Sequence, residues 1–105
     1  MATFEDREHD FENRFKHDEH LRFKVAARRN RMLGLWAAKK MGMADDAAAK
    51  YAEAVVDVQV AGGDKGVIDK LVADITAKGS AVTAAQVKFE LDHFAMAAKK
   101  QVMSE

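Results

Sequence analysis

The chain contains no proline among its 105 residues. Proline is the residue that most strongly interrupts a helix, and without it long stretches can keep their helical hydrogen bonds unbroken. The hydrophobic residues, which make up 49% of the sequence, recur at steps of three and four, the spacing of a helical face. The sequence therefore predicts an all-α protein, and its length fits a single domain.

Three helices are predicted to follow one another in the second half of the chain. The last begins with a capping box, in which the Thr83 hydroxyl accepts from the amide of Gln86 and the Gln86 side chain reaches back. A glycine pair at Gly62 and Gly63 separates the first two helices, and Gly79 ends the second. Their apolar stripes are Ala48, Tyr51, Ala52, Val55 and Val58, then Ile68, Leu71, Val72 and Ile75, and finally Val87, Leu91, Phe94 and Ala98.

Residues 21–41 predict one more helix with a wide apolar surface. Lys39 and Lys40, just before Gly42, suit the end of this helix because cations oppose the negative end of the helix dipole. Gly34 lies inside the helix, where glycine costs about 1 kcal/mol relative to alanine, so we expect it to mark the close approach of a neighbouring helix. The sequence thus predicts a small four-helix bundle domain over residues 21–105.

Residues 1–20 differ from the bundle in charge and in apolar surface. They contain seven acids and three bases, whereas residues 21–41 contain seven bases and no acid. Burying their three phenylalanines, Phe4, Phe11 and Phe15, contributes roughly 4 to 9 kcal/mol. Ordering twenty residues costs on the order of 30 kcal/mol, which helical hydrogen bonds offset only in part. We therefore expect a weakly ordered or protruding N-terminal arm; the alternative is that the rings pack back onto the bundle.

The arm is the candidate for binding a partner. Its three phenylalanines recur at helical spacing and share one face, with charged residues around them. A few bulky anchors with charges along the rim are typical of a helix that binds in a groove. Thr3 and Asp6 form a cap pattern, so the helix can begin cleanly when a partner holds it.

A denser pattern lies in residues 3–42. It consists of Phe4 with Asp6, Arg7 and Glu8, of Phe11 with Glu12, of Phe15, His17, Asp18, Leu21, Phe23 and Lys24, and of the run Ala-Arg-Arg-Asn-Arg-Met-Leu-Gly-Leu-Trp-Ala-Ala at residues 27–38. In this pattern the chain resembles the zeta subunit family of alphaproteobacterial rotary ATP synthases. The resemblance continues loosely through residues 51–56. Residues 61–66 replace the family's acidic turn, and past residue 66 only helical character is shared.

The resemblance implies a four-helix fold and a regulatory, non-enzymatic role, the inhibition of ATP hydrolysis by the catalytic head while synthesis is spared. It implies that residues 1–20 enter a catalytic interface between the alpha and beta subunits, near the gamma subunit of the rotor, and block rotation in the hydrolytic direction. The contact residues that the resemblance implies are the anchors Phe4, Phe11 and Phe15 and the polar residues Arg7, Glu8, Arg14 and Lys16.

The sequence and the resemblance also lead to expectations about location, assembly and cofactors. The acidic N-terminus and the absence of an apolar run of about 20 residues argue against a secretory signal and a membrane span. We expect a protein that is a monomer when free, cytoplasmic, and peripheral to the inner membrane through the ATP synthase. No cofactor and no metal are expected.

Three histidines, His9, His17 and His20, lie in the acidic arm. A metal site is one interpretation, but no further ligand completes a set beyond what an exposed acidic helix offers. We favour a pH effect, because protonating all three would change the net charge of the arm from −4 to −1. Histidine changes its charge between pH 5 and 8, so these residues are candidate pH sensors for partner binding.

The basic run Arg28-Arg29-Asn30-Arg31 supports a rival function, a helical module that binds nucleic acid or another protein. Against nucleic acid, the neighbouring acidic arm would repel phosphate, and the chain has no net positive charge. We expect these arginines on the exposed face of their helix, paired with acids of the bundle or of the partner. Catalysis is not expected, because the sequence has no cysteine and no glycine-rich phosphate loop.

Overall fold

The computed structural model describes residues 3–105. These residues form four helices and no strand, which confirms the all-α prediction. The helices are α1 (Phe4–His17), α2 (Glu19–Lys40), α3 (Asp45–Ala77) and α4 (Ala84–Met103). Within the described part of the chain, no helix is both long enough and apolar enough to cross a membrane.

Helix α3 doubles back on itself at Gly63. This glycine has φ 62° and ψ −162°, a conformation that other residues adopt only with strain. The Tyr51 hydroxyl donates a hydrogen bond of 2.7 Å to the Asp74 carboxylate, although 23 positions separate the two residues. The halves of α3 before and after Gly63 therefore run side by side, which confirms the predicted separation of two helices at the glycine pair.

The main core lies between α2, both halves of α3, and α4. Gly34 lets α2 and α3 approach closely, because a Cβ atom on this glycine would lie 2.7 Å from the Cα atom of Ala52. The prediction that Gly34 marks a close helix neighbour is thus confirmed. The buried residues of the main core are Leu33, Ala37, Val55, Val67, Leu71, Ile75, Val87 and Leu91.

The ends of α2 and α4 follow the sequence signals closely. The amide of Gln86 donates to the Thr83 hydroxyl at 3.1 Å, and the Thr83 amide donates to the Gln86 side chain at 2.8 Å. The predicted capping box is therefore present. Helix α2 ends at Lys40, as its terminal lysines predict. Helix α4 runs to Met103, slightly past its predicted end near Gln101.

A second and smaller group of buried residues, the N-terminal cluster, lies where the first turns of α2 meet the last turns of α4 and α1. Helix α2 contributes to both groups, because its first turns line the N-terminal cluster and its later turns line the main core. The N-terminal cluster consists of Phe11, Leu21, Val25, Ala98 and Val102.

The structure corrects the expectation of a weakly ordered or protruding N-terminal arm. The chain bends at Asp18, which is the C-cap of α1 and the N-cap of α2. Helix α1 packs against the bundle, and the Phe11 side chain is only 4% exposed. The expectation was wrong because it counted the apolar surface of the arm alone. Helices α2 and α4 supply the surface that the arm lacks, through their residues in the N-terminal cluster.

Candidate functional site

Helix α1 has its own start and stop signals. The Asp6 amide donates to the Thr3 hydroxyl at 3.1 Å, and the Thr3 amide donates to the Asp6 carboxylate at 3.2 Å. Glu5 and Asp6 lie in the first turn, and Arg14, Lys16 and His17 lie in the last. Because acids stabilise the positive end of a helix and bases the negative end, this charge order favours a helix over this segment.

The three phenylalanines of α1 lie on one side of the helix, as predicted. The rings of Phe11 and Phe15 are stacked, with centroids 6.2 Å apart. Phe4 and Phe11 together line a cleft of about 210 Å³. Phe4 is 62% exposed, in contrast to the buried Phe11. The cleft is closed on the side of α4 by Met96, Lys99, Lys100 and Met103. The aromatic side of α1 therefore faces its own bundle.

Two cations from other helices hold the last turns of α1. The Lys99 ammonium lies 4.2 Å from the centre of the Phe15 ring and 3.5 Å from the Glu12 carboxylate. The Arg22 guanidinium donates to the carbonyl oxygens of Phe15 and Lys16, at 3.1 and 2.9 Å. These carbonyls belong to the last turn of α1 and have no partner within the helix, so Arg22 supplies the missing donors.

The polar contact residues that the resemblance implies all lie on the surface. Arg7, Glu8, Arg14 and Lys16 are exposed. Within residues 3–105, none of these four side chains forms an ion pair. Their charges are therefore available to a binding partner. Their role in binding stays a prediction.

The three histidines are also exposed but do not form one group. His9 lines a shallow cleft of α1 with Glu5, Glu8 and Glu12. His17 is the last residue of α1, and His20 lies in the first turn of α2. Among residues 3–105, no three histidine, cysteine or acidic side chains are arranged to hold a metal ion. The proposed pH sensing stays a prediction.

The basic run of α2 is neutralised by acids of the bundle. Arg28 pairs with Glu105, two residues after the end of α4, and Arg31 donates to Glu53 at 2.7 Å. The hydrogen bond and charge of Arg31 hold the pKa of Glu53 below its usual value. The predicted pairing with bundle acids is thus confirmed for both arginines. This use of the run weakens the rival interpretation as a nucleic-acid patch.

Arg29 departs from the prediction of an exposed position, since it is only 9% exposed. Its guanidinium donates to Gln59 at 2.8 Å, to Asp64 at 2.9 Å and to Asn30 at 3.1 Å. Asn30, which is fully buried, donates in turn to Gln59 at 2.9 Å. Burial alone would raise the pKa of Asp64, but the hydrogen bonds from Gln59 and Arg29 and the charge of Arg29 outweigh it and lower the pKa. This network ties α2 to the turn at Gly63.

Sequence reasoning missed the residues that receive α1. It identified the α4 stripe up to Ala98, but not its continuation at Val102, one helical step of four further on. That step was the available signal, because it extends the apolar stripe to the end of α4. No comparable signal marks Lys99 or Arg22, since their roles depend on which helices meet.

The chain matches the model of a known protein family. The family model described as ATPase inhibitor subunit zeta matches residues 1–101. The matched residues include the whole of α1, α2 and α3 and most of α4. No curated protein and no solved structure is significantly similar to the chain.

Proposed function

Because the chain belongs to the ATPase inhibitor subunit zeta family, we propose that it inhibits ATP hydrolysis by the rotary ATP synthase through helix α1. The role of the family is regulatory and inhibitory. In the proposed mechanism, α1 enters a catalytic interface between the alpha and beta subunits, next to the gamma subunit. There it blocks rotation in the hydrolytic direction, and synthesis is spared.

The observation that carries the proposal is the surface of α1. One side carries the aromatic anchors Phe4, Phe11 and Phe15, and the exposed remainder carries four charged side chains that make no ion pairs within residues 3–105. This combination suits a helix that enters a groove with its apolar side and meets polar groups at the rim. We assign Arg7, Glu8, Arg14 and Lys16 to the rim.

The two parts of the chain have different tasks in this proposal. Residues 1–20 are the inhibitory segment, and residues 21–105 are the bundle domain. The main core contains no residue of α1, so the bundle should fold without it. With 14 residues, α1 is about 21 Å long. The bundle keeps α1 at high local concentration near its groove and acts as a stop against the catalytic head.

The proposal also places the protein in the cell. It is a monomer when free and cytoplasmic, and it reaches the inner membrane only through the ATP synthase. Its partners are the alpha, beta and gamma subunits of the catalytic head. Copurification of the chain with the synthase from membranes, and its release together with the detached head, would support this placement.

Deletion of residues 1–20 tests the assignment of α1. Steady-state ATP hydrolysis by the purified catalytic head should be inhibited by the full chain and not by the truncated one. The truncated chain should keep the circular dichroism of a folded helical bundle, because the main core does not use α1. Inhibition by the folded, truncated chain would show that α1 is not the inhibitory element.

A matched pair of substitutions tests the anchors without disturbing the bundle. Phe4 is 62% exposed on α1, and Phe23 is 54% exposed on α2. Phe4→Ala should raise the concentration needed for half-inhibition by roughly tenfold or more, as is typical of an aromatic anchor. Phe23→Ala, which removes a similar exposed ring outside α1, should leave that concentration nearly unchanged. Equal effects of the two substitutions would contradict the role of Phe4.

A further inference from the structure

The proposed function and the observed packing use the same side of α1. Phe11 and Phe15 are anchors for the catalytic head in the proposal, yet in the structure Phe11 is buried in the N-terminal cluster and Phe15 packs against it. One helix face cannot occupy two grooves at once. The free protein must therefore release α1 before α1 can bind elsewhere.

We propose that the contact between α1 and the ends of α2 and α4 is autoinhibitory, so that the protein inhibits the synthase only after α1 has opened about Asp18. This inference rests on the proposed function and adds its regulation. In the closed form, which the structure describes, Phe11 is buried and Phe15 is partly covered, whereas Phe4 stays exposed. In the open form α1 is free to enter a partner's groove.

The closed form is held by a small set of contacts. Phe11 fills the cluster, Lys99 covers the Phe15 ring and pairs with Glu12, and Arg22 binds the last carbonyls of α1. All of these contacts join α1 to α2 or α4. None involves α3, most of whose buried residues belong to the main core together with residues of α2 and α4. Opening therefore leaves the main core intact.

The backbone at Asp18 suits a hinge. Asp18 is the one residue between α1 and α2, with extended angles of φ −110° and ψ 104°. Its carboxylate accepts from the Leu21 amide at 3.1 Å and so caps α2. This hydrogen bond joins Asp18 to the first turn of α2 and does not involve α1, so it can persist when α1 moves. The Asp18 amide donates to the Arg14 carbonyl at 2.8 Å, and only this link is on the side of α1.

The closed form has a quantitative consequence. If only a fraction of the molecules is open, the apparent dissociation constant for the catalytic head is the intrinsic one divided by that fraction. Any change that weakens the closed contact without touching the anchors should strengthen inhibition. Any change that locks the contact should weaken inhibition by tenfold or more. A simple loss of folding could weaken inhibition but could not strengthen it.

A reversible cross-link tests the lock. The chain has no cysteine, so Glu12→Cys with Lys99→Cys introduces the only two thiols, at positions whose side chains meet in the structure. A bifunctional methanethiosulfonate reagent joins α1 to α4, and reduction separates them again. We expect the concentration needed for half-inhibition of ATP hydrolysis to be at least tenfold higher for the joined protein than for the reduced protein. Reduction should restore inhibition.

The control joins two positions that do not involve α1. Lys88→Cys with Asp92→Cys replaces an ion pair within α4 and receives the same reagent. This variant should inhibit equally before and after reduction. Equal inhibition by the joined and reduced forms of the Glu12 and Lys99 pair would overturn the autoinhibitory contact.

Loosening the contact gives the opposite change. Lys99→Ala removes the cation above Phe15 and the partner of Glu12, but leaves every proposed anchor in place. We expect half-inhibition at an up to about fivefold lower concentration, with faster amide exchange in α1. Lys88→Ala, which removes a paired lysine of α4 that does not contact α1, should change neither quantity. An unchanged half-inhibiting concentration and unchanged exchange for Lys99→Ala would contradict the inference.

The outcomes separate this inference from the proposed function. If the unmodified full chain does not inhibit, or if the chain without residues 1–20 inhibits equally well, the proposed function fails. If α1 is required for inhibition but the cross-link has no effect, the proposed function stands and the autoinhibitory contact is wrong.

Discussion

The main core and the N-terminal cluster bury their residues to different degrees. All eight residues of the main core are at most 2% exposed. In the N-terminal cluster only Ala98 is as well covered, and the other four residues are 3% to 8% exposed. The main core is enclosed by α2, both halves of α3, and α4, whereas α1 covers the N-terminal cluster from one side.

This difference indicates that one small chain combines a fixed and a releasable region. A helix that rests on a few apolar contacts and on one partly exposed ion pair can open locally at a small cost in free energy. A helix whose buried residues belong to an enclosed core cannot open locally at a small cost. The contrast supports the proposal that α1 leaves the bundle to bind a partner, and four substitution experiments can confirm or contradict it.

The largest effect is expected in the main core. Leu71→Ala removes a fully buried side chain, and it should lower the free energy of unfolding by about 2 to 5 kcal/mol. Urea unfolding followed by the fluorescence of Trp36, which borders the main core, measures this loss. Leu35→Ala, at an exposed position of the same bundle, should change it by less than about 0.5 kcal/mol. A small effect of Leu71→Ala would mean that the main core is as loosely packed as the N-terminal cluster.

A somewhat smaller effect is expected where α2 crosses α3. The Cβ atom of Gly34→Ala would meet the Ala52 Cα atom at 2.7 Å, so the two backbones must move apart. We expect a loss of about 1 to 3 kcal/mol in the free energy of unfolding.

The control for Gly34 is Gly62→Ala, whose Cβ would lie at an ordinary 3.6 Å from Val58. It should leave the stability unchanged or raise it by up to about 1 kcal/mol, because alanine reduces the entropy of the unfolded chain. Thermal unfolding of both variants measures these two changes in stability. Equal stability of the two would show that the helices can separate here without loss.

A still smaller global effect is expected in the N-terminal cluster. Phe11→Ala in an enclosed core would cost about 3 to 5 kcal/mol. Here we expect less than about 1 kcal/mol in the main unfolding transition, because α1 detaches while the rest of the bundle stays folded. Amide exchange should become fast in α1 and stay slow in α3. A global loss as large as that of Leu71→Ala would contradict the separation of the two regions.

The smallest effect concerns acid. The pKa of Asp64 is lowered in the folded protein, so its ionised form stabilises the fold above the ordinary aspartate value of 3.8. That stability is lost as the pH falls from this value through the lowered pKa of the folded state, because the unfolded state takes up its proton first in this range. At neutral pH the free energy of unfolding of the wild type should exceed that of Asp64→Asn by about 0.5 to 1 kcal/mol. The difference is modest because the carboxylate is half exposed.

Urea unfolding at several pH values checks the Asp64 prediction. The difference between wild type and Asp64→Asn should disappear in strong acid, where both side chains are neutral. Amide exchange in α1 should not respond to this substitution, since Asp64 belongs to the network of α2 and the Gly63 turn. A difference that persists unchanged in acid would show that the charge of Asp64 is not the cause.

Much of the helical layout was predictable because its signals are local. Thr83 with Gln86, the glycine pair before Asp64, and Lys40 before Gly42 mark helix ends through interactions within a few residues. The close approach at Gly34 was also predictable, since a glycine inside a helix needs a reason. The burial of Arg29 was not, because its partners Gln59 and Asp64 reach it only when α3 folds back.

The sequence by itself determined that this chain is helical, where its helices begin and end, and which family it resembles. All three properties depend on neighbouring residues or on residue identity alone. Only the tertiary structure decided that α1 docks on its own bundle. The surface that receives Phe11 comes from residues as far as 91 positions away, Val25 and Val102 among them. Burial depends on which distant surfaces meet, and a segment read alone carries no information on the surface that will cover it.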